Sequence, residues 1–151
     1  MEVYKTPSAI ILMLLRERNG KKQVLLQRRK NTGFADGLWD FSCSGKVEEG
    51  ETMTCTAVRE AKEELGVNIN ARDLRFAVLI HKCDKPCNLV YYNAYFVCES
   101  FDGKPFIAEP EKCAELQWFD ISNLPDDLLD DRRQALKAYF CGVHYFEYGW
   151  N

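Results

Sequence analysis

Three glutamates close together in the sequence have the type and spacing of a metal site. Glu60, Glu63 and Glu64 stand at positions i, i+3 and i+4, so a helix would project all three from one face. Like charges at this spacing repel each other, and such a run taken alone is usually a solvated helix face. A hard divalent cation removes the repulsion, and Mg²⁺ is typically held by a few carboxylates together with substrate phosphates. The trio therefore predicts a Mg²⁺ site that acts on a phosphate-bearing substrate, provided that its neighbours support it.

Residues that precede the three glutamates favour the interpretation as a metal site. Glu51 lies just before the predicted helix, where a negative charge suits the helix dipole. Arg59 is expected to point away from the carboxylate face and to reach back to Glu51. That pair would hold the segment 45–51 against the helix. Gly45 would let the segment turn sharply and bring backbone carbonyls near the metal.

These residues follow one pattern: Gly45, five residues, Glu51, seven residues, then Arg59-Glu60-Ala61-Lys62-Glu63-Glu64-Leu65-Gly66-Val67. The pattern resembles the Nudix box at every defined position, and a weaker likeness extends over most of the chain. The resemblance implies an α/β fold, the Nudix-type α/β/α sandwich around a mixed β-sheet, in a single domain of residues 1–151. It also implies metal-dependent hydrolysis of a diphosphate linkage in a nucleoside di- or triphosphate derivative. A nucleoside triphosphate, damaged ones included, is the favoured substrate, as in the MutT-like branch.

The same resemblance implies roles for individual residues. The cofactor would be Mg²⁺, with Mn²⁺ as the alternative, and its ligands would be the carbonyl of Ser44 and the carboxylates of Glu60, Glu63 and Glu64. A further acid would come from a downstream loop, where Glu109 and Glu111 are preferred over Glu115. Glu51 and Arg59 would join the catalytic set as structural partners. One carboxylate of the set would orient or deprotonate the water that attacks phosphorus.

Two other functions are weighed against the hydrolase. Isopentenyl-diphosphate isomerases share the fold and place a catalytic cysteine immediately before the box glycine. Here Ser44 holds that position, and an extended chain would turn the Cys43 thiol to the opposite face. Family members often place a proline and then a small residue before the box glycine, whereas this chain has Cys43 and Ser44 there. A non-catalytic nucleotide-binding module predicts a degraded box, and this box is intact. Release of phosphate, migration of a double bond, or binding without turnover would distinguish the three.

The rest of the chain predicts elements that can position the box. Apolar and β-branched runs predict strands, the first two forming a hairpin, over residues 8–17, 23–29, 74–81, 89–98 and 116–120. An apolar stripe at four-residue spacing predicts a helix over 52–65, ended by Gly66 as a left-handed cap. A second helix is predicted over 132–141. The aromatic tail, 145–150, is expected to fold back onto the domain or to form a subunit contact.

Composition limits the class of protein and its partners. The chain has 151 residues, 46% of them hydrophobic, and a formal net charge of −3, which argues against a protein that wraps long nucleic acid. No secretion signal is apparent, and the apolar run 9–15 is too short to span a membrane. Seven cysteines, an odd number, favour reduced thiols and a cytoplasmic location. The expected partner is a small nucleotide, with no membrane, and a homodimer is left open.

Two further groups of residues are interpreted as structural. His81, Cys83 and Cys87 lack a second paired motif, so a surface turn between two strands is favoured over a zinc site. Aromatic residues such as Trp39 and Trp118 are numerous. Core or lid packing is favoured over stacking on a base for each of them.

Overall fold

The computed structural model describes residues 1–85 and 88–151 of the chain. Within this part the helices and strands follow the order β1 Ser8–Arg18, β2 Lys21–Arg29, β3 Trp39–Phe41, β4 Cys43–Lys46, α1 Met53–Leu65, β5 Arg75–Asp84, β6 Leu89–Cys98, β7 Cys113–Asp120, α2 Asp130–Phe140 and β8 Tyr145–Tyr148. The strands form one mixed sheet in the order β3-β2-β1-β6-β5-β8, with β4 paired to β1 and β7 paired to β2.

The first strand organises the sheet. Along one edge β1 runs parallel to β6, and along its other edge it has two antiparallel partners in succession. Its first half pairs with β4, with Ile11 opposite Ser44, and its second half pairs with β2, with Leu15 opposite Val24. The sheet therefore opens between β2 and β4, and the connection through Ser42 crosses this opening. The site described below lies at this split.

The two helices cover opposite faces of the sheet. Alternate residues of β1 point to opposite faces, as the pleat of a strand requires. Ile10, Leu12 and Leu14 belong to one core cluster, which includes Ala57 and Ala61 of α1. Ile11, Met13 and Leu15 belong to the other core cluster, which includes Ala135 and Leu136 of α2. This three-layer arrangement confirms the predicted α/β/α sandwich around a mixed sheet.

Most of the predicted strands and helices are present, but they begin or end at different residues from those predicted. The helix of the box begins at Met53, because Thr52 caps it by accepting a hydrogen bond from the backbone N–H of Cys55. Strand β5 extends to Asp84, so the surface turn predicted around His81 and Cys83 was wrong for these two residues. Cys87 lies outside the described residues. The remaining cysteines, six in the part of the chain described, are free thiols, in agreement with the prediction.

Three strands were not predicted. Strands β3 and β4 have three and four residues, too few to show a period. The aromatic tail forms β8, which extends the sheet beside β5, so the first of the two alternatives for the tail is confirmed. Trp150 fixes it further, since its indole N–H donates to the His81 carbonyl at 2.8 Å. No helix in the described residues is long and apolar enough to cross a membrane.

Candidate active site

Helix α1 presents its glutamates along the edge of its buried stripe. Ala57, Ala61 and Leu65 face the core, which places Glu60 and Glu64 beside strand β4. Glu63 lies further round the helix, and its side chain is 53% exposed. The left-handed Gly66, at φ 68°, ends the helix as predicted. The three carboxylates are therefore not equivalent, because two lie against the sheet and one faces solvent.

An ion pair holds the entry to the helix, as predicted. Arg59 binds the Glu51 carboxylate in a bidentate manner, with Nε–Oε2 at 2.7 Å and Nη2–Oε1 at 2.9 Å. The Thr56 hydroxyl and the backbone N–H of Glu48 also donate to Glu51, at 3.0 and 3.1 Å. The bonds from Arg59 chiefly lower the pKa of Glu51, to about 2. Glu51 is thus a charged clamp that fixes the loop before α1.

The predicted direction of Arg59 was wrong in one respect. Its Nη1 lies 2.8 Å from Glu60 Oε1 and 3.4 Å from Glu63 Oε2, so it does not point away from the carboxylates. The guanidinium presents several donors in a planar fork, and here they serve Glu51 on one side and the helix glutamates on the other. Arg59 therefore offsets part of the repulsion that the sequence predicts.

The role predicted for Gly45 also needs correction. This residue lies inside strand β4, and its φ is outside the left-handed region, so it makes no sharp turn. Its special feature is the close approach of Glu60. A Cβ atom built on Gly45 would overlap Cγ, Cδ and Oε1 of that side chain. The glycine is required because the Glu60 carboxylate occupies the space that any other side chain would fill.

Glu64 is the most enclosed of the three glutamates. Its Oε2 accepts a hydrogen bond from the Ser44 backbone N–H at 3.1 Å, and the buried Cys43 thiol also bonds to it. Burial, followed by the negative charges of Glu60 and Glu109, raises the pKa of Glu64 to about 9. Burial also raises the pKa of Glu60, against the opposing effect of Arg59. Two neighbouring buried carboxylates resist ionisation unless a cation lies beside them.

This carboxylate pair fits a hard divalent cation. In the described part of the chain, no group of three or more His, Cys, Asp or Glu side chains is arranged to hold a metal ion by itself. The protein offers two adjacent carboxylates, Glu60 and Glu64, rather than a closed cage. That arrangement suits Mg²⁺, which usually keeps several water ligands and binds through one or two carboxylates plus phosphate oxygens. The hydroxyl of Ser42, buried and without a partner among the described residues, is a further oxygen at this place.

A cavity of about 310 Å³ opens beside Glu64 at the split in the sheet. Ser44 and Glu109 line it together with Glu64, so three of the predicted site residues meet there. Backbone hydrogen bonds hold the Glu109 loop in place, since Ala108 N–H donates to the Glu64 carbonyl at 3.2 Å. Glu111 is exposed and is not part of this lining. Glu115 instead pairs with Arg28 at 2.9 Å.

A second cavity, of about 370 Å³, adjoins the first and shares Arg29, Thr32 and Ser44 with it. It lies on the α2 side of the sheet. Its other polar and aromatic lining residues, which the sequence analysis did not identify, include Phe34, Lys82, Tyr91, Asn93 and Arg132. A signal for one of them was present, because Asn93 interrupts β6, whose other residues are apolar or aromatic.

Buried ion pairs form the base of this second cavity. Arg132 Nε lies 2.7 Å from Asp40 Oδ1, and its Nη1 lies 3.0 Å from Asp131 Oδ2. Asp131 also binds Lys82, at 2.9 Å, and Asp40 binds Arg29, also at 2.9 Å. Each of these carboxylates therefore has two cationic partners. Such mutual pairing is what allows these charges to stay buried.

Comparison with known proteins identifies the family. The NUDIX domain family model matches residues 5–139, and the chain belongs to this family. Dihydroneopterin triphosphate diphosphatase of Escherichia coli K12 is 38% identical over 73 residues, which is 48% of this chain and 45% of that one. Isopentenyl-diphosphate Delta-isomerase of Serratia proteamaculans is 30% identical over 107 residues, 70% of this chain and 58% of that one. The matches thus span about half the length of these relatives.

The solved structures agree with this assignment. The MutT NUDIX hydrolase of Burkholderia pseudomallei superposes with a TM-score of 0.77 at 25% identity, covering 89% of this chain and 98% of that one. The protein is therefore a Nudix family member with a MutT-like fold, as its box predicts.

Proposed function

We propose that this protein is a metal-dependent hydrolase that cleaves a diphosphate linkage in a nucleoside di- or triphosphate derivative. The observation that carries the proposal is the pair of enclosed carboxylates, Glu60 and Glu64, held against Gly45 and Ser44. Glu64 lines the first cavity, and Ser44 lines both cavities. A ring-bearing triphosphate is the favoured substrate. This class includes nucleoside triphosphates, damaged ones among them, and the substrate named for the diphosphatase of Escherichia coli.

Each protein group has a task in the proposed reaction. Glu60 and Glu64, with Glu63 as a third carboxylate at the outer side, would hold Mg²⁺ or Mn²⁺. Bound metal would neutralise charge on the phosphate oxygens and on the leaving oxygen. One enclosed carboxylate would orient or deprotonate the attacking water. Glu109, which lines the same cavity as Glu64, would add a further carboxylate from its loop. Arg59 and Glu51 would keep the helix in register with β4.

The isomerase alternative meets a geometric difficulty. Such an enzyme needs an accessible thiol beside its substrate. Cys43 is fully buried in the core under α1, and burial raises the pKa of its thiol well above the ordinary value. Ser44, which follows it, is the residue that lines both cavities. The hydrolase is therefore preferred.

The test is turnover of a panel with and without chelator. Nucleoside triphosphates, oxidised nucleotides, dihydroneopterin triphosphate, dinucleoside polyphosphates and isopentenyl diphosphate would be assayed with Mg²⁺ or Mn²⁺. Pyrophosphatase or phosphatase coupling identifies the leaving group. We expect metal-dependent turnover by the wild type, a loss of about 100-fold or more in Glu64→Gln, and full activity in the matched control Glu49→Gln, whose side chain is exposed. Wild-type turnover in Glu64→Gln would show that the metal-site assignment is wrong.

The domain organisation, cellular location and oligomeric state of the protein are also proposals. We treat residues 1–151 as a single domain and place it in the cytoplasm, because the described cysteines are unpaired. A homodimer stays a prediction that measurement of molecular mass in solution would test.

A further inference from the structure

A buried hydroxyl without a partner lies in the wall of the first cavity. Ser42 stands between β3 and β4, and only 1% of the residue is exposed. Among the residues that the structure describes, its Oγ is the one buried side-chain nitrogen or oxygen that no hydrogen bond reaches. Such a group costs free energy, because the hydroxyl loses its bonds to water and gains none. Buried polar groups in natural proteins are usually satisfied by protein, water or ligand, so the partner must come from the cavity.

The fold itself makes no use of this hydroxyl. Phe41 and Cys43, the neighbours of Ser42 along the chain, are fully buried and belong to the core clusters on opposite faces of the sheet. Ser42 instead lines the first cavity together with Glu64. Its φ lies outside the left-handed region, so an alanine could adopt the same backbone and would leave no polar atom unsatisfied. The hydroxyl therefore indicates a ligand rather than a structural requirement.

Stronger donors in the same wall are already bonded to the protein. Arg29 donates to Asp40 at 2.9 Å and to the Thr32 hydroxyl at 3.0 Å. The side-chain amide of Gln27 donates to the Phe41 carbonyl at 3.1 Å. The Ser42 hydroxyl has no such bond, so its hydrogen is available to a molecule that enters the cavity.

The chemistry of the cavity favours a phosphate oxygen as that partner. Glu64 and Glu109 line it, and a divalent cation held by such carboxylates also takes phosphate oxygens as ligands. The cation thus has carboxylates to bind, whereas the remaining phosphate oxygens need hydrogen-bond donors. A hydroxyl can donate one hydrogen, and its bond to an anionic oxygen is stronger than its bond to a neutral one.

We propose that the Ser42 hydroxyl donates a hydrogen bond to an oxygen of the substrate's phosphate chain in the first cavity. The proposal rests on the proposed hydrolase function and adds a catalytic residue that the box does not contain. Because the bond goes to the phosphate chain, its contribution is the same whichever base or ring the substrate carries. The hydroxyl lowers the stability of the free protein and stabilises the complex.

The experiment compares Ser42→Ala with the control Ser100→Ala at an exposed serine. We expect Ser42→Ala to keep the native Tm or to raise it by up to about 4 °C, because the hydroxyl has no bond to lose. Its kcat/KM should fall about 10- to 100-fold, by a similar factor for every triphosphate that the wild type hydrolyses. The control should match the wild type in both quantities.

A binding measurement tests the same contact without turnover. The probe is methylenediphosphonate with Mg²⁺, a diphosphate analogue whose P–C–P linkage water does not cleave. We expect it to raise the Tm of the wild type and to raise that of Ser42→Ala much less. If the wild type hydrolyses nothing in the panel, the proposed function fails, and this measurement decides the role of Ser42 separately.

Three results would overturn the proposal. Wild-type kcat/KM and a wild-type response to methylenediphosphonate in Ser42→Ala would show that the hydroxyl meets no phosphate oxygen. A lower Tm in the free variant would show that the hydroxyl is bonded within the fold, directly or through water. A higher Mg²⁺ requirement, with full activity restored at saturating Mg²⁺, would assign the hydroxyl to the cation instead.

Discussion

The contact between Gly45 and Glu60 gives the sharpest prediction. In Gly45→Ala the new methyl group would overlap three atoms of the Glu60 side chain, whereas the backbone of residue 45 already has an ordinary φ. The substitution therefore acts on one carboxylate and not on the chain path. Overpacking typically costs about 1–3 kcal/mol, and a side chain that can rotate aside should bring the cost near the lower limit, about 1 kcal/mol.

The expected effects on stability and on activity differ in size. A loss of about 1 kcal/mol lowers Tm by roughly 2–4 °C in a protein of this length. Displacing a reacting group by about 1 Å can cost around 100-fold in rate, so kcat should fall by about that factor. The assay pairs thermal unfolding with phosphate release from the best substrate of the panel. We expect a nearly native Tm and a large loss of turnover.

A double-mutant cycle tests the stated cause. If Gly45→Ala acts only through Glu60, it should add little once Glu60→Ala has removed that side chain. The coupling between the two substitutions should then account for nearly the whole effect of Gly45→Ala on kcat. Additive effects, or wild-type kcat in Gly45→Ala, would refute the reasoning and return Gly45 to a role in the backbone.

Two further substitutions test the supports of the site. Glu51→Gln removes one charge of the bidentate pair with Arg59, so we expect Tm to fall. Turnover should fall less than it does in Glu64→Gln. Total loss of turnover at native Tm would instead show that Glu51 is catalytic. Arg132→Met should lower the free energy of unfolding by about 3–5 kcal/mol in denaturant titration, because Asp40 and Asp131 each lose a buried partner. An unchanged midpoint would show that these ion pairs add no net stability.

The sequence alone determined the box, its helix and the layers around it. Thr52 caps the start of the helix, Gly66 caps its end, and Glu51 pairs with Arg59. These features could be predicted because capping and short-range pairing depend on residues only a few positions apart. The continuous apolar run of β1 was sufficient to predict a strand, and both faces of that strand are covered in the structure. Spacing along a helix likewise put three glutamates in one region before any contact was known.

Only the tertiary structure decided how those groups differ and what lies beside them. Glu60 and Glu64 are enclosed and Glu63 is exposed because β4 covers one side of the helix, and the sequence does not reveal which strand lies there. Glu109 reaches the cavity while Glu111 does not, since a loop can turn either residue inward. The second cavity could not be predicted from the sequence, because its base is built from residues far apart along the chain. Arg132 meets Asp40 across 92 residues, and such contacts exist only after the sheet has formed.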